Sequence, residues 1–72
     1  MEKKVGDKVW LDGYTSLAQQ NSGMEVITKV EYRFDKMIGE KFPIYFIGSG
    51  VFDGRDGGAY DNDRSMYYIH LK

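Results

Sequence analysis

The chain has 72 residues, no cysteine and a formal net charge of −1. These figures exclude a fold stapled by disulfides or thiolate-bound metal and count against nucleic-acid binding, which relies on a basic excess to neutralise phosphates. They allow one small domain, which buries only about 60% of its unfolded surface and must build its core from side chains alone or from a subunit partner.

Residues 1–4 form a charged tail. Met1-Glu2-Lys3-Lys4-Val5-Gly6-Asp7 has no apolar run that resembles an export signal, and no later segment approaches the roughly 20 apolar residues of a membrane helix. With cysteine absent, a cytoplasmic location is expected. Val5 to Leu11 reads as the first strand, with Val9 and Leu11 pointing inward and Trp10 outward or at a rim. Trp10 either covers the edge of the core or anchors a ligand. Asp12-Gly13 is a turn signal. The long polar stretch through Tyr14 to Gly23 follows, either an open loop or one holding a helical turn near Ser16; recognition residues often sit in such loops.

The next stretch, Met24 to Ile47, organises the chain. In Met24 to Phe34, the residues Val26, Thr28, Val30, Tyr32 and Phe34 share one parity and Lys29, Glu31 and Arg33 the other. That alternation predicts a half-buried strand with the first set inward and a mixed-charge face in solvent. Phe42 to Ile47 is apolar at every position, so it is expected to be covered on both faces and to pair antiparallel with the first run around Gly39. Pro43 places this strand's beginning at an edge or an unpaired position. Gly48-Ser49-Gly50 permits a bend or bulge at a barrel corner, Val51-Phe52 resumes a strand, and Asp53 to Gly58 is turn-rich. Ala59-Tyr60 is a short extended piece, Asp61 to Ser65 a second turn, and Met66 to Leu71 the last strand, apolar enough on both faces to be well covered.

About five short strands with glycine-rich corners predict an all-β, single-domain antiparallel barrel over residues 1–72 with one long polar loop at 12–23. Val5-Gly6-Asp7-Lys8-Val9-Trp10 resembles the first strand of SH3-like barrels. Phe42-Pro43-Ile44-Tyr45-Phe46, a glycine break, Phe52 to Asp56 and a tyrosine-rich final strand are similar to small uncharacterised phage and bacterial proteins of that architecture. The resemblance implies an SH3-like fold and, as a phage-like trait, a host-directed partner such as a defence or transcription component. It implies no catalytic activity, and fold alone does not fix function.

The chemistry-bearing residues are few. Asp61, Asp63 and Ser65 alternate like the first ligands of a calcium loop, but Met66 stands where the turn glycine belongs and no closing glutamate follows; turn formation explains them better. His70, the single histidine, has no nucleophile context. No metal, cofactor or enzymatic activity is therefore expected. Eleven aromatics (six Tyr, four Phe, one Trp) either fill a small barrel with large side chains or line a binding face. Trp10, Tyr14, Arg55, Tyr60 and Arg64 are the candidates for such a face, because aromatics and arginines dominate protein interfaces. The expected function is a protein-interaction module. The alternatives are nucleic-acid or nucleotide binding through the same residues, which the net charge disfavours, and a homo-oligomeric structural subunit pairing through sheet edges.

Overall fold

Alternating burial starts the fold. In β1 (Lys8–Gly13) Val9 and Leu11 are buried while Trp10 faces outward, as the sequence predicts. The computed structural model describes residues 3–48, 50–60 and 66–71. Within them β1 is the centre of an antiparallel sheet of order β2-β1-β6, with β2 at Gly23–Val26 and β6 at Tyr67–His70. A second sheet has the order β3-β4-β5, from Lys29–Asp35, Glu40–Ile47 and Gly50–Asp53. Asp12 and Gly13 do not turn: they pair with Tyr68 and Tyr67 and extend β1. The polar stretch after them does hold a helical turn, α1 (Ser16–Gln19). The Thr15 hydroxyl caps it by accepting from the Ala18 N–H at 3.1 Å, and Ala18 is buried. Gly13 has no room for a side chain, since a β-carbon there would overlap that of Ala18.

The sheets face each other across one core. Val9, Leu11 and Ile69 from the first meet Tyr45, Ile47 and Phe52 from the second, with Ile27 between them and Val30, Tyr67 and Leu71 at the margin. β4 is covered on both faces, as its unbroken apolar run predicts: Tyr45 and Ile47 face the core, and Phe42 and Ile44 are buried on the opposite face. The core-facing Tyr45 hydroxyl accepts from the Lys3 N–H at 2.9 Å, so its polar end is satisfied.

The predicted inward row of Met24 to Phe34 is corrected. Val30 alone of that row packs on the core, Val26, Tyr32 and Phe34 are exposed, and Ile27 is fully buried. The cause is a break in parity at Ile27 and Thr28, where the chain leaves one sheet for the other. The Ile27 N–H donates to the Asp7 carbonyl in the first sheet, and the Thr28 N–H to the Phe46 carbonyl in the second. Beyond Val30 the β3–β4 hairpin runs past the core, so Tyr32 and Phe34 lose their cover and Met37 at its tip is 94% exposed.

The expected barrel of about five strands is also corrected: among the described residues six strands form two three-stranded sheets that are not closed into a barrel. Counted as one bent run, β2 and β3 restore the number five. Among the described residues β5 and β6 are joined through isolated bridges to the segment between them, Phe52 to Ala59 and Gly58 to Tyr68, where a glycine loop stands in place of a strand. Gly57 holds that loop at φ 84°, and a β-carbon there would strike the Ile69 carbonyl oxygen. Gly48 and Gly50 serve a tight β4–β5 hairpin rather than a barrel corner.

The core ranks the residues. Phe52→Ala is expected to lose about 3–5 kcal/mol, a large share of the total of about 5–15 kcal/mol typical of a domain. Met37→Ser, at the hairpin tip, is expected to stay within about 0.5 kcal/mol. Urea unfolding of the two variants beside the wild type checks the contrast.

Candidate functional site

The pairing register builds the site on the outer face of β2-β1-β6. Trp10 lies opposite Met24 on one side and His70 on the other, so the three side chains form a row across all three strands. In the neighbouring rows Lys8 faces Val26 and Asp12 faces Tyr68. Tyr14 joins this face beyond the end of β1, where its N–H donates to the Met66 carbonyl at 2.9 Å. Its ring lies 4.7 Å from that of Tyr68, and Tyr68 stacks on His70 at 5.3 Å. Trp10 is 42% exposed, and Tyr14, Met24 and Val26 are more so. An apolar, largely aromatic surface thus stands open on a flat sheet.

Asp12 organises its polar end. Oδ2 accepts from the Tyr68 hydroxyl at 3.4 Å and lies 3.3 Å from His70 Nε2. The Gly13 N–H beside it, with His70, holds the Asp12 carboxyl below its ordinary value. Burial and then the Asp12 charge push the Tyr68 hydroxyl up. At neutral pH Asp12 is therefore an anion and Tyr68 a neutral donor to it, an arrangement that fixes the Tyr68 ring for its contacts with Tyr14 and His70.

The structure brings the sequence-predicted residues together in two groups. Trp10 and Tyr14 share the face just described. Arg55 and Tyr60 meet instead over the outer face of β3-β4-β5: the Arg55 guanidinium sits 3.6 Å above the Phe42 ring, and Tyr60 approaches the same ring edge-on at 6.0 Å. Arg64 lies outside the described residues, as do the Asp61, Asp63 and Ser65 of the weighed calcium loop. A groove of about 310 Å³, lined by Arg55, Asp56, Tyr68 and His70 among others, lies between Arg55 and the Tyr68–His70 stack. Sequence reasoning missed Met24, Tyr68 and His70. The signal was present in the last strand, where Tyr68 and His70 share a parity opposite to the core-facing Tyr67, Ile69 and Leu71.

Arg55 is held on every nitrogen. Nη1 donates to Asp35 Oδ2 at 2.7 Å, Nη2 to Asp53 Oδ2 at 2.8 Å and Nε to Asp53 Oδ1 at 3.1 Å. Its pKa is raised by the two carboxylates. Those hydrogen bonds, with the Met37 N–H, draw Asp35 below its ordinary value; at Asp53 burial pushes upward and the Arg55 contacts outweigh it. Along β3, Lys29 Nζ lies 2.6 Å and Arg33 Nη1 2.8 Å from the Glu31 carboxylate, whose pKa they lower. Ile44 and Phe42 are buried on this same face, so the ion-paired side chains act as its cover. Among the described residues no group of three His, Cys, Asp or Glu side chains is placed to hold a metal, and no helix is long and apolar enough to cross a membrane.

Comparison with protein-family models, with curated proteins and with solved structures gives no match to this chain.

The Arg55 cluster predicts an acid-side loss of stability. Asp35 and Asp53 titrate lower folded than their ordinary value of 3.8, so their contribution is complete above that pH and is lost as pH falls below it. Arg55→Met removes the guanidinium's share of that lowering and leaves the backbone N–H bonds to both carboxylates. The drop in melting temperature between pH 7 and pH 3 should then be smaller in the variant than in the wild type, as scanning calorimetry at both pH values would measure.

Proposed function

We propose that the chain is a non-enzymatic protein-binding module that engages its partner with the outer face of β2-β1-β6. The observation that carries this reading is the row Met24–Trp10–His70, set by strand register and extended by the Tyr68 and Tyr14 rings. Tryptophan, tyrosine and methionine are enriched where interfaces are buried. Here they stand in solvent on a rigid sheet, where little conformational entropy is lost on binding. A general base needs a substrate group in reach, and the Asp12–His70 pair sits on an open face with the Asp12 carboxylate already taken up by the Tyr68 hydroxyl and the His70 ring. An SH3-like relationship accompanies the proposal. It is supported by the two sheets sharing β2 and β3 as one bent run, with β1 between β2 and β6 and β4 between β3 and β5.

A second reading, single-stranded nucleic acid, is favoured by the Tyr14–Tyr68–His70 stack, since rings on a sheet face also take up bases. The net charge of −1 opposes it, and on this face the cation Lys8 is offset by Asp12.

Trp10 is the single tryptophan, so its fluorescence reports directly on the face. Capture from lysate with and without nuclease, followed by titration of the purified partner, tests the proposal. Trp10→Ala is expected to weaken binding by about 30-fold or more, the size of an interface hot spot of about 2 kcal/mol. Leu17→Ala, exposed on α1, should bind like the wild type. Capture lost on nuclease treatment would move nucleic acid to the front. Equal binding by Trp10→Ala and the wild type would rule out this face.

A further inference from the structure

The other sheet has an edge strand, β3, whose sequence is complementary to itself. Three of the sheet edges are short or covered. β5 and β6 are bridged by the Gly58–Ala59 segment, with the Asp53, Tyr60 and Ile69 N–H groups bonded there, and β2 has only four residues. β3 is a seven-residue edge strand without proline that pairs with β4 alone among the described residues. Long exposed edges are templates for strand addition, and proteins restrict what can add to them with charge.

We propose that β3 pairs antiparallel with β3 of a second copy, forming a two-fold homodimer through a continuous six-stranded sheet. The register is fixed by charge. An antiparallel strand centred on Tyr32 places Glu31 opposite Arg33 of the second copy and Lys29 opposite its Asp35, and the reverse. Every charged side chain of the strand then meets its opposite, while Val30 meets Phe34 on the other face. Pleating allows only shifts of two residues. A shift one way sets Glu31 against Glu31 and Lys29 against Arg33; the other way sets Arg33 against Arg33 and Glu31 against Asp35. Larger shifts leave only three residues of the strand paired. Opposite charges across a strand pair stabilise and like charges destabilise, so the ladder both selects this register and rejects its neighbours. The already ion-paired Lys29, Glu31 and Arg33 hold extended positions on one face. Phe34, 59% exposed on the protruding hairpin, gains an apolar neighbour. This proposal concerns β3-β4-β5 and stands apart from the binding face on β2-β1-β6, which the dimer leaves open.

Sedimentation equilibrium from micromolar to millimolar concentration tests it. The wild type should rise from the 8.3 kDa monomer toward twice that mass. Arg33→Glu should weaken association by about tenfold or more, because it acts twice across the two-fold axis, and Glu31→Arg combined with Arg33→Glu should recover it. Folding of each variant is checked by circular dichroism. Register is read independently of these charges. The chain has no cysteine, and directly opposed β residues lie within disulfide reach. Tyr32→Cys should therefore crosslink to itself on mild oxidation much faster than Met24→Cys on the other sheet. A wild type that stays at monomer mass at millimolar concentration would overturn the proposal. So would Arg33→Glu associating as the wild type does, or Tyr32→Cys crosslinking no faster than Met24→Cys.

Discussion

Everything in this fold depends on one constraint: two small sheets must bury a common core with no covalent staple. Val9, Leu11 and Ile69 against Tyr45, Ile47 and Phe52, plugged by Ile27, are where both sheets lose water together. Ile27 is the hinge of the arrangement. It bonds to the first sheet through Asp7 while its neighbour Thr28 bonds to the second through Phe46, so one buried side chain sits where the chain changes sheets. A core this size leaves both outer faces to be dealt with separately, and the molecule deals with them in opposite ways.

On β3-β4-β5 the outer face is closed by the chain's own charged side chains. Arg55 lies flat on Phe42, held there by Asp35 and Asp53, and the Lys29–Glu31–Arg33 ladder runs along the strand next to the buried Ile44. Guanidinium and lysine stems cover apolar surface well while their charged ends stay wet. On β2-β1-β6 the described residues supply no such cover. Trp10, Met24, Val26 and Tyr14 remain in solvent, and the carboxylate beside them, Asp12, orders aromatic rings rather than shielding them. The same short chain thus protects one apolar face and leaves another bare, and that contrast weighs more for a binding role than the total number of aromatics.

What was legible in the sequence follows the local rules. Val9, Leu11 and outward Trp10 obey period two, and the unbroken apolar run of β4 correctly announced burial on both faces. The capped turn near Ser16 was one of two readings left open. The failures come from long-range geometry. The alternation of Val26 to Phe34 is real, but a crossing between sheets at Ile27 reverses its meaning midway, and the hairpin outruns the core, so Tyr32 and Phe34 look buried by pattern and are exposed in fact. Asp12-Gly13 carries turn chemistry, yet pairing with β6 keeps it extended. Of the site, Trp10 and Tyr14 were readable as outward aromatics. Met24 and His70 were not, because only strand register brings residues so far apart in sequence into line with Trp10.

Arg55 shows how composition and placement can point to different roles. By residue type it belongs at an interface, where a free guanidinium offers five donors. Here each of its nitrogens is bonded to Asp35 or Asp53 and its plane rests on Phe42, so a partner wishing to use it would first have to break bonds that hold the β5 turn to the β3–β4 hairpin. It therefore acts as a clamp that fixes one wall of the groove beside Tyr68 and His70. That wall carries the Asp56 carboxylate, and the groove reaches the open aromatic row at Tyr68 and His70. A partner that covers the row and follows the groove would meet a preformed surface at both ends, which is the condition under which a small, flat interface binds with useful affinity.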